Sequence, residues 1–326
     1  MANDPRFLLP FDQGLLALPA QNMLVIRPVD TFGLNDLPSD GLVLEQGFKP
    51  MHDALAGAGY SVVPRATGTF DLTIVNLTRS KVENLGNIAR AARMTSGMVL
   101  VNGAKTDGIE STLRQVRKET EIAGVLSKSH GKVFWFEGSL PEAWEKAAEP
   151  SKNKAGFVTA AGMFSAEKVD AGSQRLAEHL SGLKGRGADL GSGWGWLAAQ
   201  VLSQDITALE LFEADFYALE AARKNTDDPR AMFHWVDVTT LPKTREPFDF
   251  VVSNPPFHVG RAADPDLGRA FIKAAAEMLK SGGRFLMVAN RQLPYEATLE
   301  QYFRQWTPVF QDGQFKVFDA SRPRKQ

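Results

Sequence analysis

The chain has 326 residues, enough for two ordinary domains, with 44% hydrophobic and 23% charged residues, the composition of a soluble globular protein. A formal net charge of −1 excludes a general basic coat for nucleic acid, and the lack of cysteine excludes disulfides, thiolate metal sites and a cysteine nucleophile. The opening MANDPRFLLPFDQG has no basic stretch leading into an apolar one, and no apolar run reaches membrane-spanning length, so a cytoplasmic protein without signal peptide or membrane association is expected.

In chain order, strands are expected at NMLVIRP, LTIVNL, MVLVNG and KVFWFE, with helices filling the gaps. A helix over 81–94 would turn Val82, Leu85 and Ile88 inward and leave Arg90 and Arg93 on its surface. From Arg79 to Lys118 there are eight Lys or Arg against three acids, a local balance of +5. Such a run is either a solvated face or a gathering of positive charge for phosphates. The polar stretch EAWEKAAEPSKNKAG, around 142–156, is the expected boundary between a domain at 1–150 and another at 156–326.

Beyond it, strands read at GADLG, ITALELF, AMFHWVD, FDFVVS, RFLMVAN and QFKVFDA. Helices read near 171–183, 196–202, 214–225, 267–279 and 295–305. Short strands alternating with helices build a doubly wound parallel sheet, and Asp312-Gly313 in VFQDGQF marks a hairpin that adds an antiparallel edge strand. The two halves are compatible with one α/β plan used twice.

The chemistry concentrates at strand ends in the second half. ADLGSGWGWLA is a strand end, a glycine-rich turn and a helix start, in which Gly191, Gly193 and Gly195 admit a ligand close to the backbone and Asp189 stands just ahead. Glu210, 21 residues after Asp189, is read as ending the next strand, where an acid can bind both ribose hydroxyls. Asp237 ends the third strand, placed for an adenine edge, and Asn254 ends the fourth. Taken singly, Glu210 or Asp237 is an ordinary surface carboxylate; four sites in chain order on one sheet edge form a ligand site. In SNPPFH, Pro255 and Pro256 stiffen the backbone so that the Asn254 amide oxygen and the Pro255 carbonyl can converge on one amino group, while Phe257 can stack on a flipped base. His258 either touches substrate or packs locally. The five histidines have no ligand spacing, so no metal is expected, and no phosphate-binding lysine motif or serine elbow occurs.

This order resembles the class I S-adenosylmethionine-dependent methyltransferases, with Asp189–Gly195 as motif I and Asn254–Phe257 as the amino-methylating signature. GMFSAEKVDAGSQRL, RFLMVANRQLPY and GQFKVFDA are similar to stretches of the bacterial RsmC and RlmG type ribosomal RNA guanine-N2 methyltransferases. The resemblance implies two Rossmann-like methyltransferase-type domains, the first degenerate, lacking cofactor binding and serving RNA recognition or folding support. It implies methylation of a guanine N2 in ribosomal RNA, with the small subunit favoured as substrate, S-adenosyl-L-methionine as cofactor and Phe164 beside that cofactor; the oligomeric state is open, a monomer being favoured. Trp194 and Trp196, which flank Gly195, depart from the pattern and would either pack or reshape the cofactor pocket. Methylation of adenine N6 or a protein glutamine, or a non-catalytic RNA-binding assembly factor, are the alternatives.

Overall fold

The computed structural model describes residues 5–241, 246–256, 258–259, 262–263 and 265–324, with backbone alone for 258–259 and 262–263. The chain separates into two compact units, Met1–Pro150 with Ala160–Gly162, and Ser151–Thr159 with Met163–Gln326.

The N-terminal unit contains α1 (Leu9–Asp12), β1 (Met23–Ile26), β2 (Leu42–Glu45), α2 (Lys49–Gly57), β3 (Ser61–Val63) and β4 (Leu72–Asn76). It continues with α3 (Lys81–Met94), β5 (Val99–Ala104), α4 (Ile109–Glu119), β6 (Gly124–Lys128), β7 (Gly131–Phe136) and α5 (Glu142–Ala148). Its sheet order is β3-β2-β1-β4-β5-β7-β6, parallel until β7 and β6 join antiparallel. Successive side chains of β1 enter two different apolar layers, Leu24 and Ile26 on one face, Met23 and Val25 on the other, as a sheet covered on both faces requires.

The C-terminal unit opens with the short pair β8 (Ser151–Lys152) and β9 (Val158–Thr159), then α6 (Ala171–Ala177), β10 (Gly185–Leu190), α7 (Trp196–Leu202), β11 (Ile206–Glu213), α8 (Phe216–Asn225) and β12 (Ala231–Trp235). It closes with β13 (Phe248–Ser253), the pair β14 (His258–Val259) and β15 (Ala262–Ala263), α9 (Pro265–Met278), β16 (Leu279–Asn290), α10 (Glu296–Tyr302), β17 (Phe303–Gln311) and β18 (Phe315–Pro323). The order β12-β11-β10-β13-β16-β18-β17 repeats the first sheet strand for strand. Val251 and Phe285 pack on one face and Val252 and Leu286 on the other.

Two expectations are corrected. The last helix stops at Tyr302 rather than 305, because Phe303 is drawn into the core against Phe285 and the chain runs on as edge strand β17, where Pro308 is tolerated. On α3, Ile88 is buried, but Val82 is 42% exposed and Arg90 only 5% exposed. Arg90 turns inward because Glu45, the buried acid ending β2, demands a cation: Nη1 donates to Glu45 Oε2 at 2.9 Å and Nη2 to Oε1. Arg93 stays at the surface, paired with Glu145. Arg90 is therefore no phosphate contact.

Candidate active site at the carboxyl edge of the C-terminal sheet

β10 carries Ala188, Asp189 and Leu190 into the sheet with no solvent exposure. The chain then turns through Gly191, Gly193 and Gly195, all at positive φ, into α7. Two of these glycines are needed for different reasons. A Cβ at Gly195 would stand 3.1 Å from Ala222, so this glycine lets α7 begin against α8. A Cβ at Gly193 would meet nothing within 4 Å, so this glycine borders open space. Trp194 and Trp196 pack. Trp194 is 5% exposed, lies against Phe157 and donates from Nε1 to the Phe164 carbonyl at 2.9 Å, while Trp196 joins the core under α7. That bond holds Phe164 beside the turn, where the residue is 59% exposed.

The acid at the end of the second strand is not the expected one. β11 runs three residues past Glu210 and ends at Glu213. Glu210 sits mid-strand, bonded to Arg186 and 2.9 Å from His234 Nε2. Glu213 reaches the turn instead: Gly193 N–H donates to its Oε2 at 2.7 Å and Asp215 N–H to its Oε1 at 2.8 Å. The residue as a whole is half-buried, yet its carboxyl is enclosed, and burial pushes its pKa up to about 7. Asp189 is held up at about 8, first by burial and then by the charge of Glu213. Among the described residues neither Asp189 oxygen has a hydrogen-bond partner. Glu213 has a signal in the sequence, since it follows Gly193 by 20 residues, and the strand runs on through ITALELFE to reach it.

Asp237 lies two residues beyond β12, where its carboxylate accepts from Thr239 N–H at 2.8 Å and from the Thr239 hydroxyl at 2.7 Å. Asn254 and Pro255 follow the last residue of β13, which pairs with Leu190 of β10. The Ser253 hydroxyl donates to the Leu190 carbonyl at 2.7 Å, tying the two strand ends together. A Cβ at Gly191 would lie 3.8 Å from Pro256 Cδ, so the glycine turn and the proline pair adjoin. Asn254 Nδ2 donates to Asp170 Oδ2 at 2.9 Å and to Ser173 Oγ at 2.8 Å. Those two partners, 84 and 81 residues upstream, lie in the stretch GMFSAEKVDAGSQRL, whose pattern does not by itself point to Asn254. Phe257 lies outside the described residues, and His258 is described by its backbone only.

A family model, the methyltransferase small domain, matches residues 154–319, half of the chain. The chain belongs to this family. Its members use S-adenosylmethionine as methyl donor. Relatives called ribosomal RNA small subunit methyltransferase C extend the likeness into the N-terminal unit. That of Shewanella oneidensis is 30% identical over 245 residues, covering 72% of this chain and 71% of its own length. That of Shewanella loihica is 29% identical over 268 residues, covering 78% of each. A solved structure of the T. thermophilus 16S rRNA N2 G1207 methyltransferase, in complex with AdoMet and guanosine, superposes with a TM-score of 0.80 at 23% identity, covering 98% of this chain and 92% of that one. The two-sheet architecture is thus a shared fold. Among the described residues no helix is long and apolar enough to cross a membrane.

The donor set fits S-adenosylmethionine. A buried carboxyl without a partner suits the ammonium of an amino acid group, a carboxylate that takes only backbone N–H groups suits ribose hydroxyls, and the free space at Gly193 leaves room for the ligand.

Proposed function

We propose that the chain methylates the exocyclic N2 of a guanine in small-subunit ribosomal RNA, as a monomer in the cytoplasm. The observation that carries this reading is the adjacency of the glycine turn after β10 to the Asn254-Pro255 pair after β13, so that methyl donor and amine acceptor would meet on one sheet edge. Asp189 and Glu213 would hold the cofactor, with Gly191, Gly193 and Gly195 supplying the close backbone, Asp237 the adenine edge and Phe164 a flanking ring.

When bound, S-adenosylmethionine supplies an electrophilic methyl on a sulfonium. A guanine N2 is a weak nucleophile because its lone pair is delocalised into the ring. Asn254 Oδ1 and the Pro255 carbonyl would each accept one of its hydrogens, drawing nitrogen towards tetrahedral geometry and aiming the lone pair. The proton then leaves the cationic product to water, so no dedicated strong base is needed. Phe257 would stack on the extruded base.

The N-terminal unit has a single glycine, Gly33, among residues 27–37 after β1, and would serve RNA recognition or the stability of its neighbour. The experiment is transfer of tritiated methyl to ribosomal RNA and to small subunits, followed by nucleoside analysis. Label in N2-methylguanosine is expected. Label in N6-methyladenosine or in protein glutamine would move the substrate, and no label in any fraction, with RNA still bound, would favour an assembly factor.

A further inference from the structure

We propose that Asp170 and Ser173 are positioning residues that set the orientation of the Asn254 amide; the inference rests on the amine-methylating role given to Asn254 above. Three bonds tie the group together. Asp170 Oδ2 accepts Ser173 N–H at 2.8 Å, which caps α6, and the same oxygen accepts Asn254 Nδ2 at 2.9 Å. Ser173 Oγ takes the second amide hydrogen at 2.8 Å.

An amide's two ends differ chemically but hardly in shape, so its sense must be imposed by its neighbours. A carboxylate has no hydrogen to give. An Asn254 turned the other way would set two bare acceptors 2.9 Å apart, a repulsive arrangement. Asp170 therefore selects Nδ2 for the α6 side. With both amide hydrogens used there, Oδ1 faces the opposite way, and among the described residues it has no donor. The oxygen that would accept from the target amine is aimed before substrate arrives.

The cap is held from behind as well. A Cβ at Gly172 would lie 3.0 Å from Asp170 Oδ2 and 3.2 Å from Phe315 Cε1, so glycine here lets α6 seat on β18 with the carboxylate undisturbed. Ser253, immediately before Asn254, is anchored to Leu190. Backbone and side chain of the acceptor are thus fixed by different elements.

The test separates aiming from capping. Asp170→Ser keeps a good cap residue but withdraws the carboxylate from Asn254. Expected are a kcat loss of roughly 10- to 100-fold, the scale of a hydrogen bond to a charged group, with S-adenosylhomocysteine affinity by calorimetry and melting temperature near those of the parent. Asp170→Asn, whose single oxygen can take both bonds, should recover most of that loss. Ser173→Ala should lose several-fold in kcat, and serves should Asp170→Ser not fold. In an Asn254→Ala background these changes should add nothing, because the group they aim is gone. Losses that multiply in that background, a parental kcat in both Asp170→Ser and Ser173→Ala, or a loss confined to cofactor affinity would each overturn the positioning role. Near-parental activity of Asn254→Ala alone would instead remove the function given to Asn254.

Discussion

The two sheets share one strand order, yet their carboxyl edges are finished in opposite ways. In the N-terminal sheet, β2 ends in Glu45, whose two oxygens take the Arg90 guanidinium and the Ala66 N–H. After β1 stands Arg27, itself bonded to Glu83 at 2.5 Å, where the other sheet has Gly191. In the C-terminal sheet, β11 ends in Glu213, which among the described residues takes backbone N–H groups alone, and Asp189 takes none. Burying a charge is costly unless it is paired. The first edge meets that cost with its own side chains and is closed. The second supplies no side-chain cation among the described residues, and both carboxyls have raised pKa. What separates the two edges is which unit compensates its own buried acid with a cation.

The harshest test of this contrast is Arg90→Ala, which strands Glu45. Loss of one partner of a buried pair should cost about 3–5 kcal/mol, seen by denaturant unfolding as a loss in the N-terminal unit, while the affinity of the C-terminal unit for S-adenosylhomocysteine stays level. A cost below about 1 kcal/mol would mean that Arg90 does not close the edge.

Asn254→Ala acts on the open edge. Turnover should fall by two or more orders of magnitude, about 3 kcal/mol if one transition-state hydrogen bond is lost, with cofactor affinity little changed. Single-turnover methyl transfer and calorimetry read the two quantities separately.

Asp189→Asn should show the contrast in sign. It removes a buried, unpartnered acid, so at pH 8 the ligand-free protein should gain on the order of 1–3 kcal/mol, while cofactor affinity drops. The pH dependence follows the same logic. Burial keeps Asp189 protonated to about 8 and Glu213 to about 7, whereas the unfolded chain releases those protons near 4. The folded state binds more protons in this window, so the stability from these groups is full below pH 4 and is lost as pH rises through 7 and 8. The same Asp189→Asn change should flatten that decline, and cofactor binding to the parent near neutral pH should release protons. A parent whose stability rises across pH 5–8 without ligand would contradict the raised values.

The smallest effect concerns RNA. With Arg90 buried, three exposed cations of the basic segment still gather on one helix, α4, whose Ile109, Leu113 and Val116 face the core while Arg114, Arg117 and Lys118 face solvent. Replacing those three by Ala should weaken RNA binding and lower its salt slope by roughly 0.7–0.9 per lost contact, with cofactor binding untouched. Identical titrations of both proteins from low to moderate salt would make α4 a merely solvated face.

Much of this architecture was legible in the sequence, because local periodicity is a local property. The strand FDFVVS and the helices at 81–94 and 196–202 fall where their patterns put them, and the glycine spacing after Asp189 marks the tight turn into α7. Composition and alternation also determined the class of fold, since strands separated by helices can pair in parallel in few ways. What the tertiary structure alone decided are the pairings between distant residues: Glu45 with Arg90 across 45 positions, and Asn254 with Asp170 across 84. It also decided where β11 stops, and so that Glu213 rather than Glu210 reaches the turn. The physical reason is common to all three. A buried polar group must find a partner wherever the fold brings one within hydrogen-bond reach, and helical or strand periodicity, which repeats over a few residues, carries no record of that distance.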